Sequence, residues 1–332
     1  MADRPFRWGI LSAANIARRR FVPGVLGGTE GQLAAVAARD GDRARAFAAQ
    51  FGIPRAYDSY DDLLADPEVD GVYVGLPNAL HAEWTVRAAA AGKHVLCEKP
   101  LSRRAVDVDR MAAACSEAGV LLMEAFMYRH HPLHTRVREL VAAGEIGEPA
   151  VVRATFSFAM DAERRSRDVR VNPELDGGAL MDIGCYTLNA ARFLFDAEPI
   201  EVTALQRFDP SLGVDTSFAA VARFPGDRLA LIDGSFDVRG PQRYEIVGFG
   251  GSIVVDPAFQ PGPDAASFTV VLAGERHVVE VSGVDQYALE ADHFVQSVRA
   301  GRLLPPAEDG RAQVRSIEAL YRSAETGQAV RL

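Results

Sequence analysis

Cysteine is scarce in this chain. There are three in 332 residues, Cys97, Cys115 and Cys185, odd in number and far apart. That count argues against a disulfide framework and the spacing offers no zinc pattern, so a reducing, cytoplasmic setting is expected. Excess positive charge is also missing. The net charge is −9, a field that disfavours nucleic acid or an anionic membrane as partner but leaves room for a local basic pocket. No apolar run reaches the roughly 18 residues that a membrane-spanning helix needs. Met1–Trp8 carries charges where a signal peptide would carry an apolar core. Internal repeats and low-complexity tracts are lacking too. What remains is ordinary globular composition, 48% apolar and 24% charged, over a length that suits two domains better than one core.

The first third of the chain alternates two periods. Strands are predicted over Arg7–Leu11, Gln32–Ala38, around Tyr57, and over Gly71–Leu76, His94–Cys97 and Val120–Glu124. Between them lie helices from about Asn15, over Asp42–Phe51, Asp61–Ala65 and Leu80–Ala91, and over Arg103–Ala118 with Ser102 as its cap. This alternation predicts a doubly wound parallel sheet covered on both faces. After about Ala125 the rhythm changes. A helix is expected over Pro132–Ala143, a long strand over Ala150–Phe158 and a helix over Gly177–Phe195. Seven consecutive strands then run from Glu201 to Val281, punctuated by turns such as Pro225-Gly226 and Gly250-Gly251. Strands in succession with short turns predict an antiparallel sheet. Helices near Gln286–Ala300 and Asp309–Thr326 close the chain. The expectation is an α/β protein with a Rossmann domain over residues 1–124 and an α+β domain over 125–332, the final helices being free to pack back on the first domain.

The first strand runs into Ser12-Ala13-Ala14-Asn15-Ile16-Ala17. A dinucleotide fold needs small residues here, because the chain turns tightly, the backbone approaches the pyrophosphate, and the next helix presents its N–H groups to it. Read as G-x-G-x-x-G/A, the matching positions are Ser12, Ala14 and Ala17: the first two lack the glycine the pattern asks for, and the third is the alanine it allows. The second strand ends in Arg39-Asp40, with Arg43 a turn later. An acid at this point holds ribose hydroxyls in NAD enzymes, whereas arginine suits the 2′-phosphate of NADP. The two arginines favour NADP over NAD. Asp40 is either a helix cap or a ribose ligand. Ligands of open parallel sheets sit beyond the carboxyl ends of the strands. Two more exits belong to that edge: Leu76-Pro77-Asn78 with His81, and Glu98-Lys99-Pro100. Asn78 can cap the following helix, and His81 taken alone reads as structural. A lysine beside a positively charged nicotinamide would have a depressed pKa.

Leu76-Pro77-Asn78-x-x-His81, followed by the run Ala91-Gly92-Lys93-His94-Val95-Leu96-Cys97-Glu98-Lys99-Pro100-Leu101, closely resembles the Gfo/Idh/MocA oxidoreductase family along nearly the whole chain. The resemblance implies a C-terminal domain on an open, mostly antiparallel sheet, and a catalytic role near the nicotinamide for Lys99. Gly177-Gly178-Ala179-Leu180-Met181-Asp182-Ile183-Gly184-Cys185-Tyr186 matches a family segment that ends Asp-x-x-x-His or Asp-x-x-x-Tyr. Asp182 and Tyr186 stand at i and i+4, on one helical face. The tyrosine form, Trp8–Ser12 and Glu124–Pro132 resemble the branch of NADP-dependent D-xylose 1-dehydrogenases, dihydrodiol dehydrogenases and sugar ketoreductases. Asp176 departs from that branch, where many relatives carry a further glycine.

The resemblance implies an NADP(H)-dependent oxidoreductase moving a hydride between nicotinamide and a sugar, polyol or cyclic diol, with D-xylose-type oxidation at C1 as first expectation. A keto-sugar reductase (of 1,5-anhydrofructose or a nucleotide-linked ketosugar) and a non-catalytic NADP-binding regulator are the alternatives. Tyr186 would be the acid/base group, its pKa lowered from about 10 by Lys99, and Asp182 would orient Lys99 or a substrate hydroxyl. The cofactor-binding set is then Ser12, Ala13, Ala14, Asn15, Ile16, Arg39, Arg43, Leu76, Pro77, Asn78, His81, Glu98 and Lys99, with Arg129 as a further cofactor or substrate contact. His130, His131 and His134 lack the companion ligands a metal site needs, so no metal is expected. Glu163, Arg164, Arg165, Arg167 and Arg170 form a charged loop that either contacts substrate or is surface. An open sheet must cover its outer face, which makes a homo-oligomer, dimer or tetramer, the expected assembly.

Overall fold

The computed structural model describes residues 4–165 and 167–332, with only the backbone of Ala162. The charged start Met1–Asp3 lies outside the described residues. The chain divides into two compact units, Met1–His130 with Asp285–Gly310, and His131–Val284 with Arg311–Leu332.

The first unit holds six parallel strands: β1 (Phe6–Leu11), β2 (Gly31–Ala37), β3 (Arg55–Tyr57), β4 (Gly71–Val74), β5 (His94–Glu98) and β6 (Leu122–Ala125). Their order is β3-β2-β1-β4-β5-β6, so the connection reverses between β1 and β4. That reversal opens a crevice outside the carboxyl ends of those two strands, the place where such sheets bind ligands. Helices cover both faces, which is why β4 is apolar and buried along its whole length. The core gathers Trp8, Phe21, Val36, Phe47, Tyr73 and Leu96, with the Phe21 ring stacked on Tyr73 at 3.8 Å between centroids. The helix Gln286–Ala300 supplies Ala291, Phe294 and Val295 to this same core. Phe294 lies against Trp8 at 5.1 Å.

The second unit is built on nine strands: β7 (Pro149–Ser157), β8 (Glu201–Asp209), β9 (Val214–Arg223), β10 (Leu229–Ser235), β11 (Gln242–Gly248), β12 (Gly251–Val255), β13 (Ala266–Leu272), β14 (Glu275–Val281) and β15 (Val330–Arg331). Their order is β14-β13-β12-β11-β7-β10-β9-β8-β15. Every pair is antiparallel except β7 with β10. Strand residues alternate over the start of β10, where exposed Leu229 and Leu231 oppose buried Ala230 and Ile232. One face packs on the helices Cys185–Phe195 and Arg311–Thr326.

Three local expectations need correction. Ser102 does not cap the helix after it, which begins at Ala105. Its hydroxyl instead accepts from Arg104 N at 3.1 Å and bonds Asp107 at 3.2 Å, one turn inside. Asn78 is the first residue of its helix and not the cap, a position that falls to Pro77. The helix expected from Gly177 begins at Leu180 as a π-turn through Gly184 and continues as α-helix from Cys185. The delay has a backbone cause: Gly178 sits at φ +129°, a conformation outside the helix that glycine alone adopts readily.

Candidate active site

At the carboxyl edge of the first sheet the turn after β1 begins with Ser12 at φ +107°. This is a glycine-favouring conformation held by a serine, and such positions cost of order 1–3 kcal/mol. Ser12 and Ala13 line a cavity of about 360 Å³ together with Ala38, Arg39, Asp40, Arg43 and Tyr60. Asp40 is committed elsewhere: its Oδ1 accepts from Asp42 N at 2.9 Å and Arg43 N at 3.2 Å, capping the helix Gly41–Phe51. Of the two readings open for this carboxylate, the structure shows the cap. The exposed Arg39 and Arg43 guanidinium groups are then the charged groups of the cavity available to an anion. Tyr60 went unnoticed in the sequence. Burial pushes its phenol pKa up, while Arg39, Ser12 and Arg43 act in the opposite sense. A cationic hollow of this kind fits the 2′-phosphate of NADP.

Further along the same edge, Gly75-Leu76-Pro77 follows β4 and Lys99 follows β5. His81 joins these two exits. It is fully buried, with Nε2 2.8 Å from Leu76 O and Nδ1 3.0 Å from Pro100 O. Burial lowers its pKa, and a neutral ring donates to one of the two carbonyls. Its place in the fold is therefore structural support for the edge. Glu98 accepts from the Tyr73 hydroxyl at 2.6 Å, which ties the residue before Lys99 to the neighbouring strand. Glu124 accepts from Leu101 N at 3.1 Å and fixes the chain beyond Pro100. Arg129 pairs with Glu308 at 2.8 Å, its side chain 12% exposed. The clustered histidines go different ways. His130 meets His293 in the first unit. In the second unit His131 accepts from Leu133 N. There His134 accepts from the Tyr244 hydroxyl at Nδ1, 2.7 Å, and donates from Nε2 to Ala258 O, 2.9 Å.

In the second unit the segment before Tyr186 is locked from several directions. Asp176 takes φ +55°. The departure from glycine is thus filled by one of the side chains that tolerates the left-handed region. Asp215 of β9 accepts from Leu180 N at 2.7 Å and from the Tyr321 hydroxyl at 3.0 Å. Carbonyls around the π-turn find unusual partners: Asp182 O takes the Cys185 thiol at 3.3 Å, Gly184 O the Thr187 hydroxyl at 3.1 Å, and Cys185 O the Gln313 amide at 2.8 Å. Gly184 has no room for a side chain, because a Cβ there would stand 2.8 Å from the Phe218 ring. The buried Tyr186 ring leans on Phe156 and Phe259, at 5.5 and 5.4 Å between centroids. Asp182 accepts from Arg170 Nε at 2.8 Å. The sequence had assigned Asp182 to Lys99 or a substrate hydroxyl and had left Arg170 among a group of loop charges.

Two family models cover most of the chain. The oxidoreductase family with an NAD-binding Rossmann fold matches residues 6–126, and the GFO/IDH/MocA C-terminal domain matches residues 134–254. D-xylose 1-dehydrogenase (NADP(+)) 2 of Haloferax volcanii is 42% identical over 327 residues, 98% of this chain and 99% of the relative. The crystal structure of an aldose–aldose oxidoreductase from Caulobacter crescentus, complexed with glycerol, superposes with TM-score 0.92 at 32% identity, covering 99% of this chain and 100% of that one. A 3-ketoreductase from Actinomadura kijaniata, in complex with NADP and TDP-benzene, gives 0.89 at 31% identity, covering 96% and 98%.

Proposed function

This chain belongs to the Gfo/Idh/MocA oxidoreductase family, and from that premise we propose that it oxidises the C1 hydroxyl of an aldose of the D-xylose type. It is an NADP(H)-dependent oxidoreductase acting on sugar hydroxyl or keto groups. The observation that carries the substrate reading is the whole-chain likeness to a D-xylose 1-dehydrogenase. NADP, when bound, would supply the hydride acceptor. Ser12, Arg39, Arg43 and Tyr60 would hold its adenosine 2′-phosphate, and the turn from Ala13 through Ile16 would meet the pyrophosphate.

Tyr186 is assigned the proton. An alcohol must lose its hydroxyl proton as its carbon loses hydride, and a phenol of ordinary pKa, about 10, is a poor base at neutral pH. A lysine cation favours the phenolate and brings that pKa toward the working range; this is the part assigned to Lys99. Asp182 accepts a hydrogen bond from a substrate hydroxyl and sets the sugar's orientation. Run in reverse, Tyr186 protonates the alkoxide formed at a reduced ketone, which is the chemistry of the second reading, keto-sugar reduction, favoured by the likeness to the 3-ketoreductase.

The test is a panel of aldoses, polyols, cyclic diols and keto-sugars incubated with NADP or NADPH, followed by nicotinamide absorbance. D-xylose and close aldoses are expected to lead. Turnover of keto-sugars alone moves the reading to the reductase, and tight NADPH binding without turnover of any compound moves it to a regulator. A cytoplasmic location is consistent with the three buried free cysteines, and no helix among the described residues is long and apolar enough to cross a membrane. Self-association through the uncovered face of the nine-stranded sheet completes the proposal. Leu205 is 71% and Leu231 42% exposed there, with Val221 and Leu229 beside them; Leu231 lies directly across from Val221. A face that exposes these four apolar side chains among Arg153, Asp233 and Glu245 suits a second copy of itself, which would pair both its apolar and its charged groups.

A further inference from the structure

Arg170, in the loop before the Tyr186 helix, carries a guanidinium that the assignments above leave without a task. It donates from Nε to Asp182 Oδ2 at 2.8 Å and from Nη1 to Asp168 Oδ1 at 3.2 Å. Its backbone is pinned as well: the carbonyl accepts from Gly178 N at 2.8 Å, and the amide donates to Asp168 Oδ1 at 3.0 Å. A Cβ on Gly177 would stand 2.6 Å from the Arg170 carbonyl oxygen, so glycine is what lets this loop press against the helix start. The side chain keeps 39% of its surface exposed. Its Nη2 has no hydrogen-bond partner among the described residues.

Charge balance around it is informative. Arg164 donates to the other oxygen of Asp168 at 2.9 Å. Two carboxylates and two guanidinium groups therefore neutralise one another. With these charges balanced, the Nη2 edge of Arg170 offers a donor that suits an uncharged polyol hydroxyl. Asp182 and Tyr186 are four residues apart on one helix, and a helical side chain lies over the turn before its own Cα. Across the junction of the π-turn with the α-helix, the Arg170–Asp182 pair therefore stands about one turn before Tyr186.

We propose that Arg170 is a substrate-binding residue which, together with Asp182, reads the hydroxyl adjacent to the reacting carbon of an uncharged sugar or polyol. Nη2 donates to that hydroxyl while the Asp182 carboxylate accepts from it. This rests on the reading of Tyr186 as the acid/base group. A site built to hydrogen-bond a hydroxyl rejects the analogue that lacks it much more strongly than an apolar pocket would.

The experiment compares D-xylose with 2-deoxy-D-xylose on wild type, Arg170→Met and Arg170→Lys, each loaded with cofactor. Turnover is followed by nicotinamide absorbance and sugar binding by NADPH fluorescence. Wild type is expected to favour D-xylose by roughly ten- to a hundredfold in kcat/KM, the worth of a hydrogen bond to a charged group. Arg170→Met should lose most of that preference through a higher KM for D-xylose, with the deoxy sugar and NADPH affinity little changed. Arg170→Lys, which keeps a cation beside Asp182 without the planar fork, should fall between and decides alone if the methionine variant does not fold. An intact preference in the variants overturns the proposal, as does an equal loss for both sugars, the mark of a structural prop. Wild type that binds D-xylose over its deoxy analogue without oxidising it overturns the aldose reaction and supports Arg170. Wild type that binds neither overturns both.

Discussion

Replacing Arg39 with alanine should convert an NADP-selective site into one with little preference. Arg39 and Arg43 are exposed and line a cavity of about 360 Å³ that Tyr60 and Ser12 complete. Two unit charges about 4 Å apart attract by about 1 kcal/mol in water and about 4 kcal/mol at an effective dielectric near 20. Because these arginines are solvated, the low end applies, about 1–1.5 kcal/mol per unit of phosphate charge. With a charge of about −1.5 to −2 on the phosphate, loss of one guanidinium costs about 1.5–3 kcal/mol, roughly a 10- to 150-fold weaker NADPH complex. NADH, which lacks the phosphate, should bind as before. Fluorescence titration with both cofactors measures the ratio directly. About 1 M salt, where the Debye length shrinks to about 3 Å, should erode the wild-type preference in the same direction. Asp40→Ala is the internal control: it removes a helix cap worth about 1 kcal/mol of stability and should leave NADH affinity unchanged. NADPH affinity untouched by Arg39→Ala, or NADH affinity lost in Asp40→Ala, would refute the reasoning.

Tyr186→Phe should lower turnover by about 10²–10⁴ while NADPH affinity stays as in wild type, since Phe156 and Phe259 hold either ring; normal turnover in this variant removes the phenol from the chemistry. Gly178→Ala should destabilise the fold by about 2–4 kcal/mol, because a Cβ there meets Asp215 Oδ1 at 2.3 Å at a φ of +129°; a thermal unfolding curve equal to wild type would contradict the geometry. Burial holds the His134 imidazole pKa down at about 3, against about 6.5 when unfolded. Its neutral form therefore costs nothing above pH ~6.5, and below that stability falls by about 1.4 kcal/mol per pH unit toward pH ~3 as the unfolded chain takes up the proton. In urea unfolding, His134→Asn should show a pH slope shallower by one proton than wild type across that window, and parallel slopes would count against it. Exchanging Leu205 and Leu231 for glutamate should shift sedimentation toward monomer with folding intact, unless the sheet face is not where copies meet.

The parts of this molecule that were legible in its sequence are those whose meaning is local. Continuous apolar strands such as Gly71–Val74 and the long periodic helix Gln286–Ala300 stand where their patterns put them, because burial on two faces or one leaves a mark within a few residues. The motif around Lys99 carried the family. The supports of the tyrosine segment were not legible. Leu180–Gly184 has the same residue spacing whether it winds as α or as π; what admits the wider turn is a set of substitute donors, among them Gln313, about 130 residues downstream. Tyr60 enters the cavity beside Ser12 because the short β3 delivers its helix to the edge of β2.

Asp40 shows the difference most sharply. A carboxylate at the end of the second strand is chemically the same object in an NAD enzyme and in this one, and nothing in its neighbours' identity decides between ribose ligand and helix cap. Two hydrogen bonds, at 2.9 and 3.2 Å from the amides of Asp42 and Arg43 to Oδ1, show the cap. The helix N-terminus that they complete favours a negative charge, so part of the Asp40 carboxylate's charge is offset by the amides it caps. A carboxylate left loose at this point would repel an anion over the same few ångströms across which Arg39 attracts it.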